Sequence, residues 1–377
     1  MLYVLKNYNL NYSIVSKVPL HFRSLCSLLQ KKNNRPLVDI SVEEGPLRSV
    51  YPAIREEIIE EHLVLKGNSE LRDRCEKLLD YNTNVETPFL SASLIFLHTY
   101  KLLEKPSLLN HENLKKAYIL AWCHKLIHSA ININDDIIDR SNIRYNKTTW
   151  YQLPDVGKDA AIVDAAFLLN GAIFLLQNHL RCLPHQYIMQ KHFLRAHAIM
   201  NLSNIPELKK IKINEGDKHQ LDIKFYSYNV ISTAMFLANV TDGYLHEVCE
   251  EICNDLSRFI RIEDDVVDLY DSEGNIRKTS CTDISLGRPS WLTMEAYKKG
   301  SAVQKKILEE NFGKNNEEST EKIYSIFEDL QLLDVYKKLS DEFYEQEIYK
   351  IQKKLPKSKM QDALLDLLTL VVNHKCM

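Results

Sequence analysis

The sequence predicts an all-α protein, and three observations support this fold class. Only 10 of the 377 residues are glycine, well under the average usage of about 7%, so the tight turns of β sandwiches and the phosphate loops of nucleotide-binding folds are not expected. Apolar residues recur at helical spacing along most of the chain. The composition is globular, with 26% charged residues, and the net charge of −3 offers no basic footprint for nucleic acid.

The helical periodicity runs from residue 39 to the C-terminus without an internal repeat or a long linker. It is clearest in residues 54–63, 91–103 and 115–139. We therefore expect residues 39–377 to form a single all-α domain. Because this length exceeds that of most domains, we expect many helices wrapped around a central cavity.

Residues 1–38 differ from the rest, with six Lys or Arg and no acidic residue. This bias is typical of a mitochondrial transit peptide, although a loosely packed extension has the same composition. The chain is expected in mitochondria in the first case and in the cytoplasm in the second. The 8 cysteines include no CxxC pair and are expected to be reduced. The longest charge-free stretches, residues 165–180 and 225–241, are shorter than the ~20 residues of a membrane span, so none is expected.

Two acidic motifs carry the chemistry. Each has two adjacent aspartates and a third one helical turn later, at the end of a largely uncharged run; they are Asp135, Asp136 and Asp139, and Asp264, Asp265 and Asp268. At about 100° per residue, the three carboxylates of each motif share one side of a helix. Such closely packed charges repel one another unless a cation binds, and oxygen-only ligands suit Mg²⁺. We predict that both motifs bind metal, with Asp135, Asp139, Asp264, Asp265 and Asp268 as ligands. The predicted catalytic residues of the first motif are Asp135, Asp136 and Asp139.

The motifs and their surroundings resemble the farnesyl diphosphate synthase family of trans-isoprenyl diphosphate synthases. Besides the aspartates, the resemblance rests on Trp122-Cys123, Trp150-Tyr151 and Ser290-Trp291-Leu292, and it extends from about residue 50 to the C-terminus. It implies an all-α prenyl synthase fold, usually a homodimer, with the two clusters facing each other across a central cavity. It also implies three Mg²⁺ ions, with Mn²⁺ as the alternative metal, holding an allylic diphosphate.

The sequence departs from that family where the second substrate, isopentenyl diphosphate, is held. The family has a Gly-Gly-Lys-x-x-Arg segment, and this chain has Thr87 at the lysine position, Leu90 at the arginine position and an added Glu86. A diphosphate held by charge-assisted hydrogen bonds is not expected to bind where both cations are missing.

Two further departures affect the same substrate. The family usually has two adjacent arginines after the first cluster; here they are Arg144, which serves the allylic diphosphate and is also a predicted catalytic residue, and Tyr145, which replaces the arginine of the second site. The family's strongly basic C-terminal tail is reduced to His374 and Lys375.

These losses predict a class I terpene synthase that ionises farnesyl diphosphate and forms a sesquiterpene hydrocarbon or alcohol plus diphosphate. The pattern is similar to insect terpene synthases that resemble farnesyl diphosphate synthases. The alternative is a short-chain isoprenyl diphosphate synthase, that is, a farnesyl diphosphate synthase-like prenyltransferase. A third hypothesis is a non-catalytic partner subunit, which predicts eroded metal clusters, whereas all six aspartates are intact.

The remaining site predictions concern cations and the pocket. The cations expected at the departing diphosphate are Arg144, Lys278, Arg288 and, with a slip in register, Lys224. The small side chains at Ala130 and Ile131, five and four positions before the first aspartate, predict a pocket deep enough for a C15 chain. Phe225 and Tyr226 are candidates for the opposite wall, and His128 replaces a family glutamine near the isopentenyl site.

Overall fold

The computed structural model describes residues 36–61, 67–83, 91–145, 147–203, 213, 226–270 and 283–373. Within these ranges nearly all regular structure is helical, and the predicted all-α class is confirmed. The exception is one antiparallel pair of two-residue strands, β1 (Ile143–Arg144) and β2 (Lys147–Thr148), which pairs Arg144 with Lys147. Residues 1–35 lie outside the described residues, so the division of the chain at residue 38 stays a prediction.

The described helices are numbered in chain order. They are α1 (Glu44–Ser49), α2 (Tyr51–Glu61), α3 (Ser69–Asn82), α4 (Ser91–Leu103), α5 (His111–Asp139), α6 (Lys158–Leu180), α7 (Gln186–Ser203), α8 (Tyr226–Leu237), α9 (Gly243–Leu269), α10 (Asp283–Leu286), α11 (Trp291–Lys299), α12 (Ala302–Asn311), α13 (Glu317–Asp329), α14 (Leu332–Lys354) and α15 (Lys359–Val372). Short 3₁₀ turns cover Ile40–Glu43, Pro106–Leu108 and Trp150–Gln152.

Helix α5 is the central element of the fold. Its 29 residues span roughly 43 Å at 1.5 Å per residue. The helix begins at Asn110, whose side chain accepts a hydrogen bond from the Asn113 backbone N–H at 3.0 Å. Residues 121–127 are buried on every face, because α5 packs against α4, α6 and α7 at once. A helix enclosed in this way holds its C-terminal aspartates at a fixed place.

Helix α9 carries the second aspartate motif and buries only one face. Its buried residues recur at three- and four-residue intervals, as in Val248, Ile252, Leu256 and Phe259. This face packs against α8, α11, α14 and α15. The start of the helix is fixed by Asp242, which accepts a hydrogen bond from the Leu245 N–H at 2.9 Å.

Helix α6 is, by length and composition, apolar enough to cross a membrane, whereas the charge-free stretch within it is shorter than a span. Buried core helices meet the same criteria, and α6 packs along α5. Its Asp164 is buried and accepts hydrogen bonds from Arg74 Nη2 at 2.6 Å and from Trp150 Nε1 at 2.8 Å. These contacts favour a core helix.

Candidate active site

Both aspartate motifs lie in the last turns of long helices. Asp139 is the final residue of α5, and Asp268 is the penultimate residue of α9. The C-terminal end of a helix carries a partial negative charge, so carboxylates are least stable there. Six aspartates at two such ends create a demand for cations.

Arg144 on β1 supplies positive charge to the first motif. Its Nη2 donates to Asp135 Oδ2 and its Nε donates to Asp136 Oδ1, both at 2.7 Å. Burial raises the pKa of Asp136 to about 6, although Arg144 opposes that shift. Burial acts against the charge of Arg144, but Asp136 and Asp135 raise its pKa. The guanidinium predicted to serve the allylic diphosphate therefore lies directly on the catalytic carboxylates.

Arg288 connects the end of α5 to the segment before α11. Its Nη1 donates to Asp139 Oδ1 at 2.6 Å and its Nη2 donates to the Ile138 carbonyl at 2.7 Å. The side chain is only 8% exposed, and its Nε has no hydrogen-bond partner in the part of the chain that the structure describes. The structure thus places this predicted cation at the first aspartate motif.

The second motif contacts the first residue of α11. Asp265 Oδ2 accepts a hydrogen bond from the Trp291 backbone N–H at 2.5 Å. Burial, together with the charge of Asp283, raises the pKa of Asp265 to about 8. Burial and the neighbouring carboxylates Asp264 and Asp283 likewise raise the pKa of Asp268. The carboxyl groups of the second motif therefore resist ionisation in the absence of added positive charge.

The two motifs are close enough to interact. Burial raises the pKa of Asp264 to about 6, and the next contribution is repulsion from Asp135 on the other helix. Asp264 is nevertheless exposed to water, so it lies on the wall of an open recess and not inside a closed core. The facing arrangement of the two clusters across a central cavity stays a prediction.

The carboxylates suit a hard cation but are not assembled as a finished metal site. No group of three or more His, Cys, Asp or Glu side chains is arranged to hold an ion within the described ranges. Three of the aspartates are paired with Arg144 or Arg288 instead. Oxygen-only donors with mutually raised pKa values fit Mg²⁺. Metal binding by these residues stays a prediction.

A small pocket adjoins the first motif, and we call it the polar pocket because most of its lining residues are of polar types. It is a cavity of about 40 Å³ whose lining includes Ser129, Asn132, Asp136 and Tyr145, and it has room for a few water molecules. Tyr145 Oη accepts a hydrogen bond from Asn132 Nδ2 at 3.2 Å and lies 3.5 Å from His128 Nε2.

Two substituted positions therefore meet in this pocket. His128 and Tyr145 both stand where the resemblance places groups for the second diphosphate, and they contact each other. Burial, with help from the nearby charges of Lys125 and Arg144, lowers the pKa of His128 to about 3. At neutral pH both side chains are uncharged.

Several predicted residues are not tested. Lys224, Phe225 and Lys278 lie outside the described residues, as do Glu86, Thr87 and Leu90 and the side chain of Tyr226. Ala130 is fully buried and Ile131 is 5% exposed, and neither lines the polar pocket. Their role in setting pocket depth stays a prediction.

Two residues near the site escaped the sequence analysis. Asn132 and Lys125 lie seven residues apart on one face of α5, and helical spacing from Asp136 could have placed them there. Asp283 belongs to the Thr282-Asp283-Ile284 stretch of the family resemblance. It begins α10, and only tertiary folding brings its charge to the second motif.

Comparison with known proteins identifies the family. Residues 74–330 match the polyprenyl synthetase family model. The chain is 31% identical over 313 residues to a farnesyl pyrophosphate synthase of Kluyveromyces lactis, covering 78% of this chain and 87% of that protein. It is 29% identical over 304 residues to the Saccharomyces cerevisiae protein of the same name, covering 76% and 85%. A Murgantia histrionica protein of that name is 26% identical over 321 residues, covering 82% and 77%.

The names of these relatives support the farnesyl diphosphate synthase-like alternative better than the terpene synthase prediction. The match spans both aspartate motifs and most of the helical fold. This chain therefore belongs to the polyprenyl synthetase family, as the resemblance in its sequence indicated.

Proposed function

We propose that this chain ionises an allylic prenyl diphosphate with Mg²⁺ bound between its two aspartate motifs. The observation that carries the proposal is the placement of the two aspartate motifs at the C-terminal ends of α5 and α9, with Arg144 and Arg288 lying on the carboxylates of the first motif. Bound Mg²⁺ would neutralise the departing diphosphate and so stabilise the separation of charge. The relatives' name, farnesyl pyrophosphate synthase, supports the same substrate class.

The chain's own residues have separate tasks in that step. The aspartates of both motifs hold the cations. Arg144 and Arg288 now lie on Asp135, Asp136 and Asp139. They are free to turn towards a diphosphate when other cations take their places, since each guanidinium has several donors in a planar fork. Residues around the cavity keep water away from the allylic cation.

Two fates of the allylic cation remain as candidates. The first is prenyl transfer, in which isopentenyl diphosphate attacks the cation and the product is five carbons longer. The comparisons support this farnesyl diphosphate synthase-like candidate, because the relatives at 26%, 29% and 31% identity all carry that name.

The second candidate is terpene synthase chemistry, in which the cation reacts with its own double bonds, loses a proton or is captured by water. The uncharged contact between His128 and Tyr145 favours this candidate. So do Thr87 and Leu90 in the sequence, where the family has cations for the second diphosphate. An enzyme that cannot hold isopentenyl diphosphate has no external nucleophile to extend the chain.

One experiment separates the candidates. Purified full-length chain is incubated with Mg²⁺ or Mn²⁺ and geranyl, farnesyl or geranylgeranyl diphosphate, each with and without isopentenyl diphosphate, and products are identified by mass spectrometry. A product that requires isopentenyl diphosphate and is five carbons longer establishes prenyl transfer. A C15 hydrocarbon or alcohol from farnesyl diphosphate alone establishes terpene synthesis. Absence of diphosphate release from every substrate contradicts the proposed ionisation and favours the non-catalytic subunit.

The expected homodimer and cellular location also stay proposals. Light scattering of the purified chain tests the dimer, because a dimer has twice the 43.9 kDa mass of the chain. Import of the full chain into isolated mitochondria, with N-terminal sequencing of the product, tests whether residues 1–38 are removed.

A further inference from the structure

Lys125 is a buried cation in the middle of α5. It is 2% exposed, and it has no hydrogen-bond or ion-pair partner among the residues that the structure describes. Lysine is almost never fully buried unless it is paired, and leaving a buried charge unpaired is costly. The position therefore requires an explanation from outside the fold.

The charged groups around Lys125 do not balance it. Arg48 and Arg144 are the charged neighbours that act on it, and both are cations. Each of these arginines has its own carboxylate, Glu44 for Arg48 and Asp136 for Arg144. Burial lowers the pKa of Lys125 to about 8, so the amine still carries a proton in most molecules at neutral pH. The region holds one positive charge more than the described residues compensate.

Lys125 also shares a helix face with the polar pocket. Ser129, Asn132 and Asp136 follow it at four, seven and eleven residues, which places all four within about 40° of one direction around α5. Those three residues line the cavity beside Tyr145. Lys125 itself does not line the cavity, but it lies one helical turn before Ser129 on the same face of α5.

We propose that Lys125 is a diphosphate-binding residue, which gives this chain a cation for a second diphosphate in place of those missing at positions 87, 90 and 145. Phosphate oxygens are the anionic groups that the proposed reaction brings to this region, so the inference rests on the proposed function for its ligand class. The diphosphate belongs either to a second prenyl substrate or to the inorganic diphosphate released on ionisation. A lysine ammonium suits both, because it offers three donors with free rotation.

Binding measured by calorimetry tests this assignment. Full-length protein is titrated with isopentenyl diphosphate and, separately, with inorganic diphosphate, both without Mg²⁺, so that the aspartate motifs repel the ligand. We expect Lys125→Met to weaken binding of at least one probe by about tenfold or more, and Lys125→Arg to retain it. Lys115→Met, at an exposed position of the same helix, is the matched control and should bind both probes like the natural chain.

The two probes separate the sources of the ligand. If Lys125→Met weakens the binding of isopentenyl diphosphate alone, the subsite belongs to a second substrate. If it weakens the binding of both probes equally, the subsite recognises the diphosphate group itself. Lys125→Met should also raise the melting temperature of the ligand-free protein, because it removes a buried unpaired charge. A lower melting temperature would mean that Lys125 is paired inside the chain, and it would overturn the proposal.

Unchanged affinity for both probes in Lys125→Met, or no binding of either probe to the natural chain, would also overturn it. The outcome is independent of turnover. A chain that ionises farnesyl diphosphate but binds both probes without help from Lys125 refutes only the subsite. A chain that releases no diphosphate from any allylic substrate, yet shows Lys125-dependent binding, refutes only the proposed reaction.

Discussion

Arginine side chains lie on all three carboxylates of the first motif. Arg144 bridges Asp135 and Asp136, and Arg288 caps Asp139. The same guanidinium groups hold the motif together before catalysis and can contact phosphate oxygens once metal has bound. In the second motif, Asp265 accepts a hydrogen bond from the Trp291 N–H, and burial raises the pKa of all three aspartates.

This difference yields the first prediction. Asp135→Ala and Asp264→Asn should each lower turnover by on the order of 10²–10³ or more, because each removes charge that holds the departing diphosphate. Asp264→Asn should also raise the melting temperature without metal, since it removes a repelling carboxylate. Steady-state diphosphate release and circular dichroism melts measure the two effects. Near-normal turnover in a folded Asp264→Asn protein would refute the metal assignment.

Tyr145 provides the second prediction at the residue scale. Tyr145→Arg restores a cation where the side chain now contacts His128 and Asn132. We expect a lower KM for isopentenyl diphosphate, or the appearance of products five carbons longer than the allylic substrate. Tyr145→Phe, which removes only the hydroxyl group, should produce neither effect. If both variants use isopentenyl diphosphate like the natural chain, position 145 does not control access of the second substrate.

The third prediction at the residue scale concerns Ala130. Ala130→Phe forces a ring into a fully buried position of α5 at a packing cost of about 1–3 kcal/mol. If Ala130 limits the depth of the pocket, activity should shift from farnesyl towards geranyl diphosphate while ionisation continues. Ala130→Ser is the control, because it changes little volume. An unchanged substrate ratio in folded Ala130→Phe would show that the side chain does not reach the substrate chain.

At the scale of elements, the C-terminal end of α5 determines how Arg144 reaches the first motif. Arg140 follows Asp139 with a φ of 56°, and its N–H donates to the Asp136 carbonyl. This left-handed residue turns the chain towards β1 and brings Arg144 back over Asp135 and Asp136. The end of α5 and the two-residue strand pair together position Arg144 for its ion pairs with Asp135 and Asp136. The sequence motif alone does not predict these ion pairs.

The backbone at Arg140 gives a stability prediction. Arg140→Gly should raise the free energy of unfolding by about 0.5–1 kcal/mol, because glycine adopts positive φ without the steric cost of a Cβ atom. Arg140→Ala keeps the Cβ atom and should not give that gain. Urea unfolding of both variants measures the difference. Equal stabilities would indicate that the left-handed turn is not under strain.

The sequence predicted the helical elements of the structure, but it did not predict the contacts between them. Helical periodicity predicted the all-α class, and motif spacing predicted three carboxylates on one side of α5 and α9. The contact of Arg288 with Asp139 joins residues 149 positions apart, and the repulsion of Asp265 by Asp283 depends on where α10 packs. Such contacts arise from tertiary packing, which neither periodicity nor spacing encodes.

At the scale of the whole molecule, charge in the recess links stability to pH. An acid whose pKa is raised in the folded state contributes stability below its unfolded pKa, and this contribution is lost as the pH rises through the folded pKa. Buried histidines act in the opposite sense: burial lowers the pKa of His124 to about 3 and of His192 to about 4, so their effect ends above about pH 6.5. Between pH 6.5 and 8 the raised pKa values of Asp265, about 8, of Asp268 and of Glu347, about 7, make stability fall with pH. The lowered pKa of Lys125, about 8, opposes this fall near pH 8.

The last prediction follows from that window. The free energy of unfolding of the metal-free protein should fall between pH 6.5 and 8, because Asp265 must lose its proton beside other carboxylates. Mg²⁺ that binds only the folded, ionised motif should offset the fall, and should stabilise more at pH 8 than at pH 6.5. Asp265→Asn should flatten the slope without removing the share of Glu347. Urea unfolding at both pH values, with and without Mg²⁺, measures all three effects. If Mg²⁺ stabilised the protein equally at pH 6.5 and 8, the carboxylates that it binds would already be ionised at the lower pH, and the pKa of Asp265 could not be raised by burial and by Asp283.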